Sequence, residues 1–215
     1  DDGDGQFDRR FLFRILAMGH SQFAQFLGAQ GPNTQVNSAC ASTTQALAMA
    51  SDWIRVGRCD RVIVLGADDV TNEELLPWIG AGFLSAGAAT TAGSVEEGAL
   101  PFDRRRHGMI LGMGAVGFLL ERQSDCEARG CVPIAELLSA RIANSAFHGT
   151  RLSPDHIAEE VNKVVVEAAK RAGVDLATFA RRAMFMSHET YTPARGGSAA
   201  AEIASLKRAF GDDVS

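Results

Sequence analysis

The chain has 215 residues, 46% of them hydrophobic and 22% charged, enough to bury a core in one domain or two small ones. A net charge of −5 with scattered basic residues gives no footprint for nucleic acid or an anionic membrane surface. No run approaches the ~18 consecutive apolar residues of a membrane span and no charged leader with a cleavage site is recognisable, so we expect a cytoplasmic protein.

Residues 1–5 are acidic and Gly-rich, which reads as a loop or a cut end of something longer, there being no initiator Met. Residues 8–27 are dense enough in apolar side chains to predict a buried helix, broken at Gly31-Pro32, and residues 34–37 read as a short strand. A second helix is predicted to start at Cys40. It carries Leu47, Ala50 and Ile54 on one face with Ala46, Met49 and Trp53 beside them, and Gly57 as its stop. Residues 61–66 (RVIVLG) show no alternation and predict a strand covered on both faces, completing a βαβ unit.

Residues 80–99 are small-residued and broken, which predicts a long functional loop. Two strands are predicted over 114–121 and 133–142. Ser153-Pro154-Asp155 has the cap, the first-turn proline and the early acid of a helix start. Ile157, Val161, Val164, Val165 and Ala168 form its stripe, Glu167 and Arg171 an i,i+4 pair, and Gly173 its end. A short polar helix over 177–182, an apolar strand over 183–187 closing on His188, and a helix over 198–210 complete the order. This succession predicts an α/β fold of layered sheets and helices.

Cys40 lies in Val36-Asn37-Ser38-Ala39-Cys40-Ala41-Ser42, where the predicted strand gives way to the helix. Unpaired N–H groups and the positive end of the helix dipole stabilise negative charge there, favouring a nucleophilic thiolate. The alternative is a small buried hydrophobe. Cys59, Cys126 and Cys131 lie at a helix end or in polar loops and read as structural or incidental free thiols. None of the four forms a CxxC pair, and His20, His107, His148, His156 and His188 are too dispersed for a metal motif, so no metal is expected.

A catalytic cysteine needs a group that stabilises charge or moves protons, most often histidine. His188, closing an apolar strand at the carboxyl end of a sheet, is the first candidate and His148, in NSAFHGT, the rival. His20, within an apolar helix, reads as a core histidine. His107 and His156 read as solvated.

These residues resemble the β-ketoacyl synthases, condensing enzymes of fatty acid and polyketide assembly. Four motifs match in order: the nucleophile stretch from Asn37 to Ser42; a buried strand ending in Gly66-Ala67-Asp68; Pro101-Phe102-Asp103 with Arg106, Gly108, Gly112, Gly114-Ala115 and Leu120-Glu121; and the histidine motif HGTGT, similar to His188-Glu189-Thr190-Tyr191-Thr192, followed by Glu202-Ile203 and Phe210-Gly211. The register of the two threonines favours His188 over His148. The chain departs from the family where Gly112-Met113-Gly114 replaces Gly-Glu-Gly and where Glu189 and Tyr191 replace both glycines of HGTGT.

The resemblance implies a partial thiolase-like layered αβαβα fold. Residues 1–121 would be part of an N-terminal half with the nucleophile, and residues 122–215 the start of a C-terminal half with the catalytic histidine. It also implies decarboxylative Claisen condensation, with Cys40 carrying the acyl group and His188 donating a hydrogen bond to the extender's thioester oxygen. Thr190 and Thr192 would bind substrate. Phe83 is a candidate for lining or gating the acyl channel, with a packing role as the alternative. No cofactor is implied, since substrates ride on the phosphopantetheine of an acyl carrier protein. Expected partners are that carrier, a second copy in a homodimer, and the remaining portions of a synthase domain or megasynthase. A second histidine, a lysine and a Gly-rich loop of the family fall outside this chain, so the isolated 215 residues are expected to be inactive. Two other readings stand beside this one: a non-condensing acyltransferase or decarboxylase of the same fold, and a catalytically silent scaffold domain.

Overall fold

The computed structural model describes residues 18–147, 151–193 and 198–211. Backbone contacts divide the chain into two units, Asp1–Gly66 with Val116–Pro133 and Ala67–Ala115 with Ile134–Ser215.

The first unit opens with helix α1, Gly19–Leu27, in which no residue is buried. The predicted helix is therefore present over its described part, but it is not a core helix: Phe26 and Leu27 face solvent, and His20 is half-buried in its first turn rather than enclosed. Residues 34–37 run without strand partners, so the predicted strand does not form among the described residues and the βαβ unit loses its first member. The only pairing nearby is an isolated bridge between Ser38 and Cys40.

Helix α2, Ser42–Arg55, buries Ala48, Ala50 and Ile54. Leu47, Ala46, Met49 and Trp53 are half-buried around them, as the apolar spacing predicts, and Gly57 at φ 72° follows the last turn. Strand β1, Arg61–Asp69, pairs with β2, Met113–Glu121. The face bearing Val62, Val64 and Gly66 is covered, with Val64 at 5% exposure, whereas Ile63 and Leu65 on the other face are exposed. The unbroken Val-Ile-Val-Leu run thus marks a strand covered on one side here, not two. Helix α2 comes close at Gly66: a Cβ built on it would lie 2.4 Å from Thr43 Oγ1. Helix α2 packs against the sheet at that point because glycine leaves the space.

A short helix the sequence reading did not anticipate, α5, Gln123–Ala128, follows β2 and buries Cys126. Arg122 at its head donates to the Ile54 carbonyl at 3.1 Å and pairs with Asp60, fastening this helix to the end of α2 and the turn before β1. Beyond it the predicted strand over 133–142 is absent, and Val132 and Ile134 stand fully exposed. An apolar β-like run makes a strand only where another backbone satisfies its N–H and C=O groups, and none does so here.

In the second unit the predicted loop over 80–99 is helical at both ends, over 80–85 and 95–98. Helix α3, Leu76–Ser85, has Pro77 in its first turn, and Gly80 is buried within it. Helix α4, Val95–Gly98, is capped by Ser94, whose hydroxyl accepts from the Glu97 N–H at 3.3 Å. Helix α3 forms despite the low helix propensity of its two glycines, with Gly80 buried and Ile79 and Phe83 half-buried.

Three helices close the unit. Helix α6, Pro154–Arg171, starts at the predicted Ser153-Pro154-Asp155 and ends before Gly173; its half-buried Ile157, Val161, Val164 and Val165 flank buried Ala158, Ala168 and Ala169. The Glu167–Arg171 pair forms at 2.7 Å. Helix α7, Leu176–Arg182, is capped by Asp175, which accepts from the Thr178 N–H at 2.8 Å. Helix α8, Ala199–Phe210, packs on α6 through Ala199, Ala201, Ser205 and Ala209, and small side chains on both partners let the backbones approach closely. Residues 183–187 form no strand, with Met184 and Met186 exposed. His188 therefore sits at the end of an unpaired segment leading into α8.

Candidate active site

Cys40 lies two residues before the first residue of α2, ahead of the N-cap Ala41, and not at the helix start predicted from sequence. It is exposed; Cys131 is exposed too, Cys59 half-buried and Cys126 buried, and all four are free thiols. The turn that presents it is built by its neighbours. Ser42 Oγ accepts from the Ser38 N–H at 2.8 Å and donates to the Ala39 carbonyl at 2.6 Å, and Ser38 Oγ pairs with Gln45. Ala39 is held at φ 49°, a left-handed conformation that costs a non-glycine residue about 1–2 kcal/mol. The short backbone turn between Ser38 and Ser42 thus projects Cys40 outward, and the helix hydroxyls hold the strain in place.

By contrast, Cys126 has the environment of an inert thiol. Burial, then the Glu121 carboxylate, push it up from the usual thiol range.

The other predicted residues belong to the second unit. Phe83 is half-buried on α3, not in a loop, and its carbonyl accepts the N–H groups of Ala88 and Ala89 at 2.9 and 3.3 Å. An apolar cleft of about 380 Å³ lies beside this helix, lined by Leu76, Gly80, Leu84, Met109 and Leu111, and Phe83 is not part of its wall. From α3 a line of backbone bonds runs onward: Met109 N–H to Ala88 C=O at 2.7 Å, Thr90 N–H to Met109 C=O at 2.9 Å, and Gly108 N–H to Tyr191 C=O at 2.9 Å. A Cβ on Gly108 would lie 2.3 Å from the Ala89 carbonyl carbon, so only glycine lets these segments lie together.

That line ends at the histidine segment. The His188 side chain is exposed, Thr190 is half-buried and Thr192 buried. The backbone around His188 is braced by two carboxylates. Glu202, 8% exposed, accepts from the His188 N–H at 3.1 Å and from Ser187 Oγ at 2.6 Å. Glu189 accepts from the Tyr191 N–H at 3.1 Å and from Ser198 Oγ at 3.1 Å. Tyr191, in place of a motif glycine, sits at φ 60°. In the segment matched to Pro101-Phe102-Asp103, the Arg105 guanidinium holds the Asp103 carboxyl down at about 2.

The structure thus places His188, Thr190 and Thr192 on one braced segment, tied by backbone bonds to the Arg106–Met109 stretch and through it to the Phe83 helix. Cys40 belongs to the other unit. His148 falls outside the described residues. Glu202 and Ser187 were missed as site residues; the signal was there, since a lone acid in the Ala-rich start of α8 has to be satisfied where it is buried. Among the described residues no three His, Cys, Asp or Glu side chains stand together as a metal-ligand set, and no helix is long and apolar enough to cross a membrane.

Residues 6–126, more than half of the chain, match the model of the β-ketoacyl synthase N-terminal domain. The chain belongs to the β-ketoacyl synthase family. It is 36% identical over 153 residues to the tetracenomycin polyketide synthase ketoacyl synthase alpha subunit of Streptomyces glaucescens, covering 69% of this chain and 34% of that one. It is 31% identical over 187 residues to 3-oxoacyl-[acyl-carrier-protein] synthase 2 of Vibrio cholerae, covering 86% and 42%. The chain therefore spans less than half the length of these relatives.

Among solved structures, a chain of AntDE:AntF, a type II PKS acyl-carrier protein in complex with its ketosynthase bound to the hexaketide, superposes with a TM-score of 0.77 at 22% identity, covering 96% of this chain and 48% of that one. A β-ketoacyl synthase from Burkholderia phymatum STM815 gives a TM-score of 0.72 at 26% identity, covering 89% and 43%. The fold is thus the partial, thiolase-like α/β fold of the ketosynthases, as the sequence motifs implied.

Proposed function

We propose that the protein is a β-ketoacyl synthase whose nucleophile is Cys40. The observation that carries this reading is the exposed Cys40 thiol on a strained turn at the head of α2, inside the stretch matched to the family. The Cys40 thiolate attacks the carbonyl of an acyl thioester on a carrier protein's phosphopantetheine; the carbonyl–sulfur bond to the carrier breaks and the carrier thiol leaves. A malonyl-type extender then loses carbon dioxide, and the electron pair of the broken bond becomes an enolate. Its carbon attacks the Cys40 thioester, and the β-ketoacyl product leaves on the carrier while the Cys40 thiolate is regenerated.

Negative charge gathers on the extender's thioester oxygen during decarboxylation, and His188 donates a hydrogen bond to it. Thr190 and Thr192 bind the carrier-borne substrate, and Phe83 borders the acyl channel. No cofactor enters, because decarboxylation itself generates the carbanion. Residues 1–121 supply part of the nucleophile half and residues 122–215 begin the histidine half. The carrier protein and a second copy of the enzyme are the partners, in the cytoplasm.

The test is product analysis with the protein expressed from its complete reading frame, an acyl-carrier donor and a malonyl-carrier extender. A β-ketoacyl chain two carbons longer, with stoichiometric carbon dioxide, is expected. Carbon dioxide without chain extension would overturn condensation in favour of the decarboxylase reading, to which the neutral Met113 lends support.

A further inference from the structure

Glu189 stands one residue past His188 where the family motif has glycine, and its side chain is 2% exposed. One carboxylate oxygen lies 3.2 Å from Arg106 Nε, an ion-pair contact without hydrogen-bond geometry, and accepts the Tyr191 N–H at 3.1 Å. The other accepts from Ser198 Oγ at 3.1 Å, and the same hydroxyl lies 3.4 Å from the His188 carbonyl oxygen. Arg106 is itself only 19% exposed and is aimed by its own loop, Nη1 donating to the Asp103 carbonyl at 3.0 Å.

A buried carboxylate beside His188 poses an electrostatic problem. If His188 faces an oxygen that gains negative charge, an unneutralised anion on the next residue, whose buried carboxylate is little screened by solvent, opposes that charge. A buried acid left alone is also strongly destabilising. Arg106 answers both at once, since it neutralises Glu189 and ties the His188 segment to the 103–108 loop alongside the Gly108–Tyr191 backbone bond.

We propose that Glu189 and Arg106 are a charge-neutral pair of positioning residues for the decarboxylation step: Glu189 braces the segment that carries His188, and Arg106 cancels the negative charge that this brace brings. The inference rests on the ketosynthase reading. It separates the two half-reactions, because the acyl transfer to Cys40 does not place negative charge at His188.

The experiment compares wild type, R106M, E189Q and R106M/E189Q, expressed from the complete reading frame. Acylation of Cys40 is followed by mass spectrometry, and carbon dioxide release from malonyl-carrier gives kcat and KM. Decarboxylation kcat in R106M is expected to fall at least about 10-fold, with KM and acylation within about 3-fold of wild type. The E189Q variant keeps the polar brace but leaves the Arg106 cation unpaired, so its decarboxylation kcat is expected to fall by less than that of R106M, and the double variant recovers most of the R106M loss.

Equal losses in R106M and E189Q with no recovery in the double variant would overturn the proposal, as would acylation falling in parallel with decarboxylation. Should R106M not fold, a soluble double variant is the expected result and an insoluble one overturns the pairing. A wild type that fails to acylate Cys40 removes the ketosynthase reading and this inference with it. An active wild type whose variants break the stated order removes the inference alone.

Discussion

Thr43 and Gly66 meet with no room for a methyl group between them, since a Cβ on Gly66 would lie 2.4 Å from Thr43 Oγ1 and 3.1 Å from Thr43 Cγ2. The contact seats α2, and with it the turn of Cys40, against β1. Substituting Gly66→Ala is expected to destabilise the protein by about 1–3 kcal/mol through overpacking. Urea unfolding measures it, and G66A/T43A should regain part of the loss. An unchanged midpoint in G66A would show that the helix does not seat there.

Glu202 holds two donors, the His188 N–H and Ser187 Oγ. Its replacement by Ala leaves both without their acceptor and is expected to cost on the order of 3 kcal/mol, with Gln intermediate because an amide oxygen still accepts. Thermal unfolding of E202A and E202Q checks the order. Equal melting temperatures for the two variants would mean that the hydrogen bonds contribute nothing to the fold.

Lys163 and Arg141 converge on Glu160 of α6, each at 2.7 Å, and draw its carboxyl from the ordinary 4.5 down to about 2. A carboxyl whose value is depressed on folding stabilises the native state above its unfolded value and loses that contribution as pH falls through the folded one. The stability gap between wild type and E160Q should therefore be constant above about pH 5 and close progressively between pH 5 and pH 2. Urea midpoints across that range test it, and a gap that does not change with pH would contradict the ion-pair assignment.

Much of this fold is written in local signals. The head and stripe of α6 and the extent of α2 follow from spacing, because each buries one face, and the polar helix α7, which buries no residue, follows from its Asp175 cap. The three predicted strands over 34–37, 133–142 and 183–187 do not form, and periodicity could not have shown this: a strand exists only when a second segment satisfies its backbone. The helix α3 was hidden by its glycines. Gly80 is buried within the helix, where a Cβ would meet Leu76 and Leu111 at ordinary contact distances of 3.7 and 3.8 Å, and it does not break the chain.

The candidate site was legible as residue types in order, and less so as geometry. Cys40 was identified from its position, but the helix starts two residues later, and the strained Ala39 that turns the thiol outward carries no sequence mark, alanine being neutral in any pattern. The bracing of His188 was out of reach for the same reason that Glu189 and Tyr191 looked like simple departures. Their roles depend on Arg106 and Gly108, more than 80 positions earlier in the chain.

The central claim is that Cys40 is the acyl carrier of a condensing enzyme. Its most direct test is peptide mass spectrometry of the protein, expressed from its complete reading frame and incubated with an acyl-carrier thioester, alongside C40A. The account predicts an acyl adduct on the peptide containing Cys40 that discharges when malonyl-carrier is added and is absent from C40A. No adduct on Cys40, or an adduct of equal yield in C40A, would contradict it.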